Sequence, residues 1–280
     1  MDLKILEETP PWEWPEGVDK MFLEIIADGQ ADASDRILAA ELAGDFVVIN
    51  DELADALLAI LQDNDEPEKL RGMAATSLGP ALDHADTYGF YDPDDVPISE
   101  GAFRKIQETL RRLYLDAAVP KYVHRRILEA SVRAPRDWHQ DAIRAAYSSD
   151  DEDWRLTAVF SMRWVRGFDN QILEALDNNN QDIHYQAICA AGNWEVDAAW
   201  SHVSKLVSEQ VTDKPILLAA IDAVAGIRPQ EAGMILVDLT DSDDEDIAEA
   251  AHEAIYMAEA MAEDPLRDDF DDDDDGGYVH

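Results

Sequence analysis

The sequence predicts an all-α fold, a right-handed α-solenoid of about seven stacked helix pairs. Three observations carry that reading. Copies of the stretch at residues 149–165, SDDEDWRLTAVFSMRWV, recur roughly every thirty residues. Aligned copies place a small residue at one fixed position, where two helices can approach closely. No run of alternating β-branched residues competes, since residues 47–49 are too few for a strand of ordinary length.

Residues 1–31 read as a lead-in. Pro10, Pro11 and Pro15 prevent a continuous helix there, and Trp12 and Trp14 between them are expected to cap an exposed apolar end. A short helix is expected over 18–27. Helices then follow at 32–44, with Gly44 as its stop, and at 50–63, with Leu53, Leu57, Ile60 and Leu61 on one face. The first pattern returns at 65–82, with Pro67 in its first turn, and again at 119–134, 150–165, 181–194, 213–227 and 243–260. Partner helices are expected between the copies, at 99–113, 137–147, 168–175, 196–211 and 229–240.

The inward anchors are Leu70, Val123, Trp154, Ile183, Ile216 and Ile247, with intervals after Val123 of 31, 29, 33 and 31. Four residues beyond them stand Ala74, Ile127, Ala158, Ala187, Ala220 and Ala251. A single helix pair cannot bury its apolar face, whereas a stack of pairs buries a continuous core. The acidic turn, the Arg after the anchor (Arg71, Arg155) and the central alanines resemble the HEAT-repeat family, in particular the short bacterial HEAT-like repeats also found in phycobilisome lyases. The resemblance covers residues 32–262 and implies a HEAT-like solenoid. It implies little about function, because the matching positions are packing positions.

The interval from Leu70 to Val123 is 53, and the excess is expected in an insertion loop at 83–98. That loop carries Tyr88, Phe90, Tyr91, Asp92, Asp94 and Asp95. Insertions in solenoids map to loops on one face, often the binding face. Residues 104–136 then hold nine cations and three acids, a local net of 9 − 3 = +6. Arg111 and Arg112 would share one helix and Arg125 and Arg126 its neighbour, either as a basic stripe or, as the surrounding acid favours, neutralised by the protein's own carboxylates. Arg163, Trp164, Arg166 and Trp200 fall outside the repeat pattern and complete the set of candidate contact residues. Residues 264–280 are nearly all acidic and are expected to be a disordered tail.

Lys and Arg total 22 against 62 Asp and Glu, a formal net charge of −40. Phosphate recognition needs clustered cations, so neither nucleic acid nor an anionic membrane is the expected partner. Adaptation to a salty cytosol is another source of such acidity. The single cysteine, Cys189, permits neither an internal disulfide nor a cysteine metal cluster. No stretch approaches eighteen apolar residues, and no basic-then-apolar leader is present, so the expected location is the cytoplasm. His252-Glu253 is the one His-Glu pair, and no zinc, phosphate-loop or nucleophile-elbow motif occurs. The expectation is a monomeric, non-catalytic scaffold or adaptor, without metal or cofactor, binding a protein partner through a concave face and the 83–98 loop. The partner is a basic one if the acid takes part. Two other readings are a bilin lyase or isomerase of the phycobilisome-lyase type, as the resemblance implies, and an acidic DNA mimic that occupies a nucleic-acid-binding protein.

Overall fold

A computed structural model describes residues 2–91, 96–209 and 213–262. Among these the regular elements are all helices. The chain divides into two compact units, 1–165 and 166–280. The lead-in packs within the first unit. The tail at 264–280 lies outside the described residues.

In the first unit the order is α1 (Leu3–Glu7), a 3-10 turn (Pro11–Glu13), α2 (Val18–Ala27), α3 (Ala33–Leu42), α4 (Asp51–Gln62), α5 (Glu68–Thr76), α6 (Gly79–Tyr88), α7 (Glu100–Tyr114), α8 (Lys121–Ser131), α9 (Trp138–Tyr147) and α10 (Glu152–Ser161). Each of α3, α5, α8 and α10 packs on the next, forming one layer. Helices α2, α4 and α7 pack in turn as a second layer. Across the layers the pairs are α2 with α3, α4 with α5, α7 with α8 and α9 with α10.

The second unit holds α11 (Asp169–Leu176), α12 (Gln181–Asn193), α13 (Trp200–Ser208), α14 (Lys214–Ile227), α15 (Pro229–Leu236) and α16 (Glu245–Ala262). The same scheme returns there. Helices α12, α14 and α16 form one layer, and α11, α13 and α15 pair with them in order.

The packing follows from the repeat pattern. Ala74, Ile127, Ala158, Ala187, Ala220 and Ala251 are all fully buried. Among the anchors, Leu70, Val123, Ile183 and Ile216 are buried, while Trp154 and Ile247 are only half-buried. The turns before the helices supply their caps. Asp32, Asn50, Asp151, Asn180 and Asp213 each accept a backbone N–H from the first turn that follows, which satisfies donors the helix itself leaves unpaired.

Two expectations need correction. The helix expected over 65–82 ends at Thr76, and a new helix, α6, begins at Gly79. The loop expected to start at residue 83 therefore starts only after Tyr88. Pro80 sits in the first turn of α6, where its missing N–H costs nothing, and Ala81, Leu82 and Ala85 bury one face of the helix. Gly89, at φ 70°, ends it. The excess residues of the long repeat are thus partly a helix that packs on α8.

Candidate functional site

A groove of about 580 Å³ runs across α3, α5 and α8, with α1 and the turn after it along one flank. Its apolar lining comes from Leu6, Trp14, Leu42, Met73 and Tyr122. Trp14 is fixed by its indole N–H, which donates to the carbonyls of Leu6 (3.0 Å) and Thr9 (2.9 Å), and by an edge contact with Phe22. Trp14 thus closes the end of the core as expected. Trp12, 77% exposed, does not.

Two glycines seat long side chains of α8 and of the turn that follows it. A Cβ at Gly72 would lie 2.4 Å from the Tyr122 ring, and one at Gly79 would lie 2.7 Å from Cδ of Arg133. Any larger residue at Gly72 would push Tyr122 off the backbone of α5.

Beyond Pro80, which lines both spaces, lies a second cavity of about 360 Å³. Phe46, His84 and Tyr88 stack along it with centroid separations of 4.4 Å at each step. Phe46 and Tyr88 are exposed, and the buried Nδ1 of His84 has no protein partner. Asp83 and Arg133 complete the lining.

The charges along this face are unequal in availability. Arg126 donates to Glu129 (2.5 Å) and stands 5.2 Å from the Tyr122 centroid. Burial alone would lower its pKa, but the charge of Glu129 and its hydrogen bond outweigh burial and hold it above the usual arginine value. Arg133 lies 4.9 Å from the Trp164 ring, and burial lowers its pKa. Burial raises the Asp83 carboxyl above its ordinary range, and Arg133 opposes that only in part. Arg126, which lines the groove, is therefore already engaged. Two of the groove's carboxylates are not: Glu7 and Glu41 are exposed and form no ion pair among the described residues, whereas Asp45 accepts the Val47 backbone N–H (2.9 Å).

The sequence-predicted contact residues scatter around this site. Tyr88 joins the aromatic stack, Phe90 turns inward against Phe103 (5.4 Å), and Tyr91 is 99% exposed. Asp92, Asp94 and Asp95 lie outside the described residues. The basic stripe does not form as one surface. Arg111 and Arg112 are on α7 in the other layer, where Arg112 donates to Gln62 (2.6 Å) and Arg111 is exposed beside a separate cavity. Arg125 is buried, donating to Thr157 (2.9 Å) and pairing with Asp153 (3.0 Å). The Thr157 hydroxyl in turn donates to Glu129 (2.6 Å), so the cations of α8 belong to a polar network between α8 and α10.

Arg163 and Trp164 lie in the first unit, with Trp164 stacked on Phe160. Arg166 and Trp200 belong to the second unit, where Arg166 covers Trp194 (4.7 Å) and Arg228 covers Trp200 (5.0 Å). Sequence reasoning did not single out Tyr122, Met73 or Phe46. The signal for Tyr122 was Gly72 one repeat earlier, a glycine inside a helix with no turn to explain it.

No family model matches the chain, and no curated protein sequence matches it. Among solved structures, human deoxyhypusine hydroxylase in complex with glycerol is similar at 15% identity, over 89% of this chain and 87% of that one, with a TM-score of 0.40. An engineered protein is similar at 16% identity, over 88% and 98% of the two chains, with a TM-score of 0.35. Likenesses this remote carry no functional argument. Among the described residues no helix is long and apolar enough to cross a membrane.

Proposed function

We propose that the chain is a non-catalytic interaction scaffold that holds a basic peptide segment of a protein partner in the groove across α3, α5 and α8. The observation that carries this reading is the charge asymmetry of the groove. Arg126, the arginine of the groove lining, is held by Glu129 and the Tyr122 face, while Glu7 and Glu41 are open at the rim. A Lys or Arg side chain entering there meets unpaired carboxylates beside aromatic and apolar surface. The net charge of −40 adds long-range attraction for such a partner, which speeds encounter more than it adds affinity. Trp14, Met73 and Tyr122 supply the apolar contact from which most binding energy at such surfaces comes. Tyr88 and Tyr91 extend the apolar surface beyond the groove.

An array of short peptides, basic and acidic, each with a central Leu or Phe, tests the reading. Basic members should bind the wild type and weaken as salt rises. They should bind the Glu7→Lys/Glu41→Lys variant markedly less. Equal retention of acidic peptides, or indifference to the charge reversal, would overturn the proposal.

A further inference from the structure

The second unit contains a pair of histidines that the groove does not involve. His184 on α12 and His202 on α13 face each other with their Nε2 atoms 3.0 Å apart, ring planes at 90° and centroids 5.2 Å apart. We infer that these two imidazoles form a chelating site for a divalent transition-metal ion of the kind imidazole favours, Zn²⁺, Ni²⁺ or Cu²⁺.

The geometry supports this directly. A zinc–imidazole bond is about 2.0–2.1 Å, so two rings on one tetrahedral ion have nitrogens about 3.3 Å apart and centroids about 5 Å apart. The pair already has that centroid spacing. A rotation that opens the nitrogens by a few tenths of an ångström aims both lone pairs at one point beside the line joining them. In the metal-free pair one Nε2 donates a proton to the other. Coordination requires both Nε2 atoms to be bare, so the donor ring must carry its proton on Nδ1 instead. For His202 a carboxylate stands nearby: Oδ1 of Asp177 is 3.9 Å from its Nδ1, and this exposed side chain has to close by about an ångström to accept that proton. A carboxylate behind a ligating histidine fixes the tautomer and strengthens the ligand.

One further fact fits. The His202 side chain is 31% exposed, which gives an ion access from solvent. No third His, Cys, Asp or Glu among the described residues is placed to ligate with the pair, so water would complete the coordination sphere. An ion held there would tie α12 to α13.

The full-length protein should be titrated with ZnCl₂ by calorimetry, alongside His184→Gln, His202→Gln and Asp177→Asn, each checked for native helicity by circular dichroism. The wild type should take up one equivalent that either histidine variant loses. Asp177→Asn should bind about tenfold more weakly. Because a histidine variant could misfold, the wild type loaded with Cu²⁺ provides a separate reading, in which its electron paramagnetic resonance spectrum should show coupling to imidazole nitrogens. Zinc uptake unchanged in the histidine variants, no uptake by the wild type, or a copper spectrum from oxygen ligands alone would overturn the site.

Discussion

Arg36 grips Glu66, thirty residues ahead, through both terminal nitrogens of its guanidinium, at 2.8 and 2.7 Å. Its Nε also donates to the Ile26 carbonyl at the end of α2 (3.1 Å). Arg71 makes the same backward bond to Leu61 at the end of α4 (3.1 Å). The forward reach recurs as well. Lys214 holds Asp244, thirty residues on, at 2.7 Å, and Lys121 pairs with Asp151 at the same spacing. Arg36, Lys121 and Lys214 join neighbouring repeats, and Arg36 and Arg71 occupy carbonyls that a helix end leaves open.

Arg36 is nearly buried, so its removal strands both the Glu66 carboxylate and the Ile26 carbonyl. Arg36→Met should cost about 3 kcal/mol, the range for breaking a buried pair from one side. Adding Glu66→Gln should recover part of that loss. Urea denaturation of the single and double variants measures both effects.

Helices α12 and α14 meet so closely that a Cβ at Gly192 would lie 2.8 Å from Cα of Ala223, a backbone atom that cannot move aside alone. Gly192→Ala should therefore destabilise by about 1–3 kcal/mol despite the better helix propensity of alanine. Gly233 in α15 has open space at the same atom. Gly233→Ala should stabilise by up to about 1 kcal/mol. Thermal unfolding should show opposite shifts for the two.

His139 is buried, with Nδ1 accepting the Arg136 backbone N–H (2.8 Å) and Nε2 against the Ser131 hydroxyl (3.0 Å). Burial pushes its pKa from 6.5 down to about 4. Between those values the unfolded chain binds a proton that the folded chain does not. The stability it contributes is therefore complete above pH 6.5 and is lost as pH falls toward 4. The loss should reach about 2 kcal/mol by pH 5. Urea midpoints at pH 7 and pH 5 should differ more for the wild type than for His139→Gln.

The helices and their order were legible because the repeats state them in apolar spacing and, at α3, α4, α10, α12 and α14, again in an Asp or Asn cap. Ala158 and Ala187 show this well, being fully buried at the predicted position. Trp154 shows the limit: it holds the anchor position but is half-buried, as is Ile247, so the spacing gives the position and not the depth of burial. The first turn of α6 was read as the end of the helix over 65–82 and its remainder as loop, because Asp83, Asp86, Thr87 and Tyr88 mask the buried face of Ala81, Leu82 and Ala85.

The groove itself was not legible. It depends on Tyr122 of one repeat lying over Gly72 of the previous one, and on which carboxylate each arginine finds in space. Neighbouring residues in sequence do not fix those pairings. Arg125 and Arg126 are adjacent, yet one enters a buried network with Thr157 and the other lines the groove.

The most direct test of the groove as a peptide-binding surface is site-specific photocrosslinking in native extract. A photoreactive phenylalanine analogue replaces Met73 in the groove, and a control replaces Leu115, which is 70% exposed at the end of α7. Crosslinks from position 73 should map to segments rich in Lys and Arg and should fade as salt rises, and position 115 should not yield them. The same segments captured from both positions, or acidic segments captured at position 73, would contradict the account.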